Sequence, residues 1–217
     1  MNEEDVRITR ATAGDFNDVL KLYYEFYSEL RSKQGWRPHP IEEYAEDVRR
    51  YLRSDAVFIA RVGGEAVGFA RVSMREGSYW IEEIYVRPEH RGKGIGKALV
   101  KAAEEYIVKH DPAAYVMVLP QDTEAITFWV KAGYSTLNTI ELVKYLKPIP
   151  GIKASRYVEV FGHVLRMLAW AKEGYGEAEA EYLEALKEFA EAGGSREEFL
   201  KVVASALKEW VKGKKGT

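Results

Sequence analysis

The chain has no cysteine, which excludes disulfides, thiolate zinc sites and a cysteine nucleophile. Side-chain amides are nearly as scarce: Asn2, Asn17, Gln34, Gln121 and Asn138 are the only five in 217 residues, while 30% of the chain is charged, a balance reminiscent of thermophile proteins. No uninterrupted apolar run reaches the roughly 18 residues needed to span a bilayer. The start, Met1-Asn2-Glu3-Glu4-Asp5, lacks the basic residues and apolar stretch of a secretory signal, so a cytoplasmic location and no membrane partner are expected. An excess of one charge is missing too. The 32 basic and 34 acidic residues run along the whole chain and leave a net charge of −2, without the electrostatic footprint of a nucleic-acid binder. His39, His90, His110 and His163 show no ligand spacing, so no metal is expected.

The apolar content of 47% is ample for one core of ordinary size. Val6 to Arg10 alternates as a strand, and Asp15 is placed as the N-cap of an amphipathic helix through Val19, Leu22, Tyr23, Phe26 and Leu30. Pro38 and Pro40 make Gly35 to Pro40 a stiff loop, after which helical spacing resumes at Ile41, Tyr44, Val48, Tyr51 and Leu52. Three strand-like runs follow, Ala56 to Val62, Ala66 to Met74 and Tyr79 to Val86. The turns Gly63-Gly64 and Glu76-Gly77 between them predict an antiparallel meander. Next come a helix from Lys97 to Lys109, a buried strand from Ala114 to Leu119, a helix from Glu124 to Ala132, and a closing strand from Tyr134 to Leu146.

Pro148-Ile149-Pro150-Gly151 marks a boundary between a first domain, residues 1-150, and an extension, residues 151-217, that carries helical pattern and no strand signal. Its stripes run through Phe161, Leu165 and Leu168, then Tyr182, Leu186 and Phe189, then, after the capping box Ser195-Arg196-Glu197-Glu198, through Phe199, Val203, Leu207 and Trp210. Three short helices are too little to fold alone. They are expected to pack on the first domain or on a second copy, as a homodimer through the helical extension.

The chemistry centres on Arg91-Gly92-Lys93-Gly94-Ile95-Gly96, between a strand ending at Val86 and the helical pattern from Lys97. Alternating glycines let the backbone approach an anion, the helix start turns free N–H groups and the positive dipole end toward it, and Arg91 and Lys93 add charge. The hexamer fits neither G-x-G-x-x-G nor G-x-x-x-x-G-K-[ST]; it reads R-x-x-G-x-G. With the strand Ile81 to Val86 before it and a second block at Ala125-Ile126-Thr127-Phe128-Trp129-Val130-Lys131-Ala132-Gly133-Tyr134, the chain resembles the GNAT superfamily of N-acetyltransferases over residues 6 to 146.

The resemblance implies an α/β (α+β) fold: a GNAT-like, mostly antiparallel, twisted sheet flanked by helices, with the helical extension behind it. It implies acetyl-CoA (and CoA) as cofactor and transfer of the acetyl group to a primary amine of a small molecule or a protein. Arg91, Gly92, Lys93, Gly94, Ile95, Gly96 and Lys97 would hold the pyrophosphate, and Ile84, Tyr85 and Val86 would pair with the pantetheine arm. Glu82 and Glu83 are the candidate bases. Without a bulge, neighbours on one strand face opposite sides, and likeness to diamine acetyltransferases favours Glu82. Where the family has a tyrosine as general acid this chain has Trp129, which would orient or pack against the cofactor but whose indole keeps its proton, so Tyr85, Tyr134 or water would protonate the leaving thiolate. Where the family often has an asparagine the chain has Asp122. Tyr23, Tyr24, Phe26, Tyr27 and Trp36 belong to the core or to an acceptor pocket. Trp129 and the extra helices also motivate a different class, a CoA-binding sensor or interaction module with a partner-binding tail.

Overall fold

A computed structural model describes residues 6–34, 36–144, 146 and 155–168. The chain divides into two compact units, Met1–Ser32 with Trp36–Glu141, and Lys33–Gly35 with Leu142–Thr217. In the first unit β1 (Val6–Arg10), β2 (Ala56–Val62), β3 (Glu65–Arg75), β4 (Ser78–Val86) and β5 (Ala114–Val116) form one sheet in that order. The pairs are antiparallel except β4 with β5, which is parallel. The two hairpin turns explain the meander: Gly63 and Gly64 have φ of 57° and 88°, and Glu76 and Gly77 have 53° and 82°, left-handed pairs whose twist matches that of the strands.

Helices cover both faces. Helix α1 (Phe16–Lys33) and helix α2 (Ala45–Ser54) pack Val19, Leu22, Tyr23 and Val48 against Val57, Ile59, Phe69 and Tyr85. On the other face, α3 (Ile95–Ile107) places Ile95, Leu99, Ala103 and Ile107 at four-residue spacing against Phe58, Ala60, Val67, Ala70 and Val72. Helix α4 (Thr123–Lys131) contributes Trp129 to the same cluster. Strand β2 is buried on both faces, which is why it reads as a continuous apolar run. Gly68 sits where β3 crosses β4: a Cβ there would stand 2.6 Å from the Tyr85 carbonyl oxygen, so a side chain would push the strands apart.

Several expectations change. The cap before α1 is Thr12, whose hydroxyl accepts from the Gly14 N–H, while Asp15 is its partner three residues on, accepting from the Thr12 N–H at 2.8 Å. Helix α3 begins at Ile95, two residues before the expected start, and β5 ends at Val116. Residues 134–144 form no strand. Leu137, Ile140, Leu142 and Val143 are exposed there, and no strand among the described residues pairs with the segment. In the second unit, the stripe through Phe161, Leu165 and Leu168 is a hairpin of β6 (Ser155–Val160) and β7 (His163–Leu168), not a helix. Phe161 and Gly162, at φ of 51° and 79°, make its two-residue turn, and the β-branched Val158, Val160 and Val164 favour strands. The other two stripes lie outside the described residues.

Hydrogen bonds from Thr12, joined by the Arg61 guanidinium, hold the Asp15 carboxyl below its usual pKa. Asp15→Ala is therefore expected to lose about 1 kcal/mol at pH 7. A depressed folded pKa stabilises above the unfolded value and ceases to do so as protons return, so the difference from wild type should shrink below about pH 4. Urea unfolding at pH 7 and at pH 3 measures both.

Candidate active site

Strand β4 carries a bulge. Its register with β3 runs from Gly68 opposite Val86 to Arg71 opposite Glu83, then jumps to Val72 opposite Ile81, leaving Glu82 as the extra residue. Sequence alternation alone sets Glu82 and Glu83 on opposite faces; the extra residue cancels one alternation and puts both carboxylates on the α1/α2 face. Arg71 and Ser73, two apart on β3, each take one of them: Ser73 Oγ donates to Glu82 Oε1 at 2.6 Å, and Arg71 donates to Glu83 through Nε at 2.5 Å and Nη2 at 2.8 Å. Parallel pairing with β5 covers only Tyr79 to Ile81 and stops at the bulge. Beyond it, among the described residues, no strand pairs with the edge of β4 from Glu82 to Val86, so a gap opens between β4 and the segment after β5. The Arg87 N–H bonds Val67 O on β3, so by strand alternation the N–H and C=O of Val86 face that gap.

The two glutamates differ in surroundings. Glu83 is buried, with its oxygens taken by Arg71 and by the Tyr27 hydroxyl at 3.1 Å. Arg71 also donates Nη1 to Asp55 Oδ2 at 2.6 Å and stands 3.9 Å over the Tyr51 ring. Burial works against the charge of Arg71, but Glu83 and Asp55 outweigh it and its pKa lies above the ordinary value. Burial and the Glu83 charge raise the pKa of Tyr23 and Tyr27, which stay neutral donors. Glu82 keeps a less committed carboxylate: among the described residues only Arg75 approaches Oε2, at 3.9 Å, beyond hydrogen-bond distance.

The loop before α3 is built by glycines of two kinds. Gly92 and Gly94 have φ of 76° and 82°, with nothing within 4 Å of where a Cβ would be, so they are needed for backbone conformation. Gly96 sits close against α4, where a Cβ would lie 3.2 Å from the Phe128 ring, tighter than a relaxed contact. Gly94 is the N-cap of α3 and supplies no side-chain cap, which leaves first-turn N–H groups of Ile95, Gly96 and Lys97 for an anion. Lys93 and Lys97 are exposed at the rim, and Ile95 is buried beneath it. The donors, the open space above Gly92 and Gly94, and the unpaired edge of β4 fit a diphosphate with an extended amide-containing arm, as coenzyme A has.

Other expected positions look inward. Trp129 is buried and packs edge-to-face against Phe128 and Tyr134, at 5.2 and 4.9 Å. Burial and neighbouring Glu104 hold the Tyr134 pKa high. Tyr85 packs toward α1, and burial together with Glu25 and Glu29 pushes it up to about 12. Asp122 caps α4 by accepting from the Ala125 N–H at 3.1 Å. Sequence reasoning missed Arg71, Ser73 and Asp55; a lone arginine inside the apolar run Ala66 to Met74 was the available signal.

A family model described as "Acetyltransferase (GNAT) family" matches residues 16–134, more than half of the chain. The chain belongs to the acetyltransferase (GNAT) family. An uncharacterized N-acetyltransferase of Archaeoglobus fulgidus is 32% identical over 116 residues, 49% of this chain and 76% of that protein. Aminoglycoside N(6′)-acetyltransferase type 1 of Salmonella enteritidis is 32% identical over 103 residues, 42% of this chain and 70% of its own length. Among solved structures, the aminoglycoside N-acetyltransferase AAC(6′)-Iy in complex with CoA superposes with a TM-score of 0.56 at 19% identity, covering 66% of this chain and 96% of that one. This GNAT protein is an acetyl-CoA-dependent N-acetyltransferase, and its sheet has the mixed, mostly antiparallel form that the motifs imply. Among the described residues no helix is long and apolar enough to cross a membrane.

Arg71→Met leaves Glu83 and Asp55 without their cation and is expected to cost about 3–5 kcal/mol. Arg71→Met/Glu83→Met should recover the part owed to the unpaired Glu83, since an apolar side chain of similar size replaces that charge, while Asp55 still lacks its cation. Urea midpoints of the two variants provide the comparison.

Proposed function

We propose that this N-acetyltransferase acetylates a small-molecule primary amine that is cationic in water, with Glu82 as the general base. The observation that carries the assignment is the bulge, which leaves Glu82, alone of the two neighbouring carboxylates, with an oxygen outside any direct hydrogen bond at the point where β4 loses its partner. Glu83 belongs to the framework. Its charge is neutralised by Arg71, and a base with both oxygens in a buried fork has no room for a proton.

Bound acetyl-CoA supplies the acyl group and a thiol leaving group. The chain's own groups do the rest. N–H groups of Lys93 through Lys97 hold the phosphates, while the β4 edge from Ile84 to Val86 offers backbone groups to the arm. Glu82 attracts the acceptor ammonium and takes one proton at Oε2, directly or through water, which frees the nitrogen lone pair for attack. The Val86 N–H, facing the gap, is the donor for the carbonyl oxygen as it gains charge. Trp129 contributes packing only, and Tyr85 and Tyr134 are packed against the two cores. After attack the nitrogen gives up a second proton to water as the C–S bond breaks, and the departing thiolate, a tolerable leaving group at pKa about 8.5, takes a proton from water.

The acceptor side is the α1/α2 face. Tyr27, bonded to Glu83, stacks on Tyr44 with ring centres 5.7 Å apart, and such a tyrosine wall beside a carboxylate suits an organic ammonium ion. The aminoglycoside enzyme among the relatives supports a small amine over a protein amino group.

Glu82→Gln should lower kcat/KM by about 10²–10⁴ and leave CoA affinity unchanged, read by thiol release and calorimetry. Glu83→Gln should act mainly on stability. A panel of spermidine, kanamycin and a lysine-containing peptide tests the acceptor class; turnover of the peptide alone would overturn it.

A further inference from the structure

Arg91 opens the phosphate loop, and a diphosphate is the obvious partner for its charge. Its nitrogens are engaged elsewhere. Nε donates to Val86 O at 2.8 Å, while Nη1 and Nη2 donate to Glu29 Oε1 and Oε2 at 3.2 and 2.6 Å. One turn back along α1, Glu25 receives the matching fork from Arg87, at 2.9 and 3.0 Å. Glutamates four apart on a helix thus meet arginines four apart on the segment that leaves β4, and two parallel clamps tie that segment to α1. Val86 O is also one of the groups that faces the gap, so Arg91 determines which edge groups of β4 stay available.

We propose that Arg91 is a positioning residue for the coenzyme: acting through Glu29 and the Val86 carbonyl, it holds the loop's N–H groups in their binding arrangement and is not itself a phosphate ligand. The inference rests on the reading that this loop holds the diphosphate of CoA. Its physical basis is preorganisation, since a loop already ordered loses less freedom when the ligand arrives. The pair is partly exposed, with side-chain exposures of 44% for Arg91 and 31% for Glu29, so removing it should disturb global stability little.

A direct phosphate contact makes the opposite prediction for Glu29. A carboxylate on a phosphate-binding cation repels the ligand, and its removal would tighten binding. The same contact would survive Arg91→Lys, because an ammonium serves a phosphate as a point charge. Lysine cannot fork a carboxylate and cap a carbonyl at once.

Calorimetric titration of CoA into the full chain separates these cases. Arg91→Gln, Arg91→Lys and Glu29→Gln are each expected to weaken CoA by about tenfold, and the Arg91→Gln/Glu29→Gln double variant to be no weaker than the weaker single. Melting temperatures without CoA should stay within about 4 °C of wild type. The proposal is overturned if Glu29→Gln binds as tightly as wild type or tighter, if Arg91→Lys keeps wild-type affinity, or if the single effects multiply in the double variant. Those results, with normal wild-type binding, remove the positioning role alone. A wild-type chain that fails to bind CoA removes the reading of the loop and this role together.

Discussion

At the centre of the sheet a guanidinium and a carboxylate share a buried fork, Arg71 with Glu83, and the geometry of the site follows from which glutamate Arg71 faces. Extending the register from Val72 opposite Ile81 would bring Glu82 opposite Arg71; the observed ladder brings Glu83 there and leaves Glu82 as the extra residue. Burying this pair is costly, and its remaining donors and acceptors are satisfied by Tyr27 of α1 and by Asp55, the residue that ends α2. Four elements are thereby tied to one charge pair. The second carboxylate is left beside Ser73, at the mouth of the gap where β5 no longer pairs.

Helix α1 connects this pair with the glycine loop. Its Glu25 and Glu29 clamp the segment that carries the loop, and its Tyr27, from an intervening position, reaches Glu83. The glycine loop and the two carboxylates are therefore positioned against one rigid element. Their spacing depends on packing and not on the loop alone.

Much of the scaffold was legible because its causes are local. The meander follows from two turns that need left-handed backbone, and α1 and α3 follow from apolar residues at helical spacing. The loop follows from Gly92 and Gly94, whose φ values only glycine adopts without strain. Gly96 has the same letter in another setting, close against Phe128, which no local rule supplies. The misreadings share a cause. Residues 134–144 pair with no strand among the described residues, and the stripe through Phe161, Leu165 and Leu168 suits a helix until Phe161-Gly162 turns the chain back. The surroundings of Trp129, expected to pack against the cofactor, are likewise a matter of packing: Phe128 and Tyr134 enclose it.

By itself the sequence determined the family, the meander with its flanking helices, the glycine loop before α3 and the pair of candidate carboxylates, since each depends on residues within a few positions of one another. Tertiary structure alone decided which carboxylate is committed to the framework, and that Arg91 meets Glu29. Arg71 and Glu83 are 12 positions apart and Arg91 and Glu29 are 62 apart, and whether they meet depends on strand register and helix packing. A single extra residue in β4 turns every side chain on one side of it to the other face, and no periodicity in the chain marks where that residue falls.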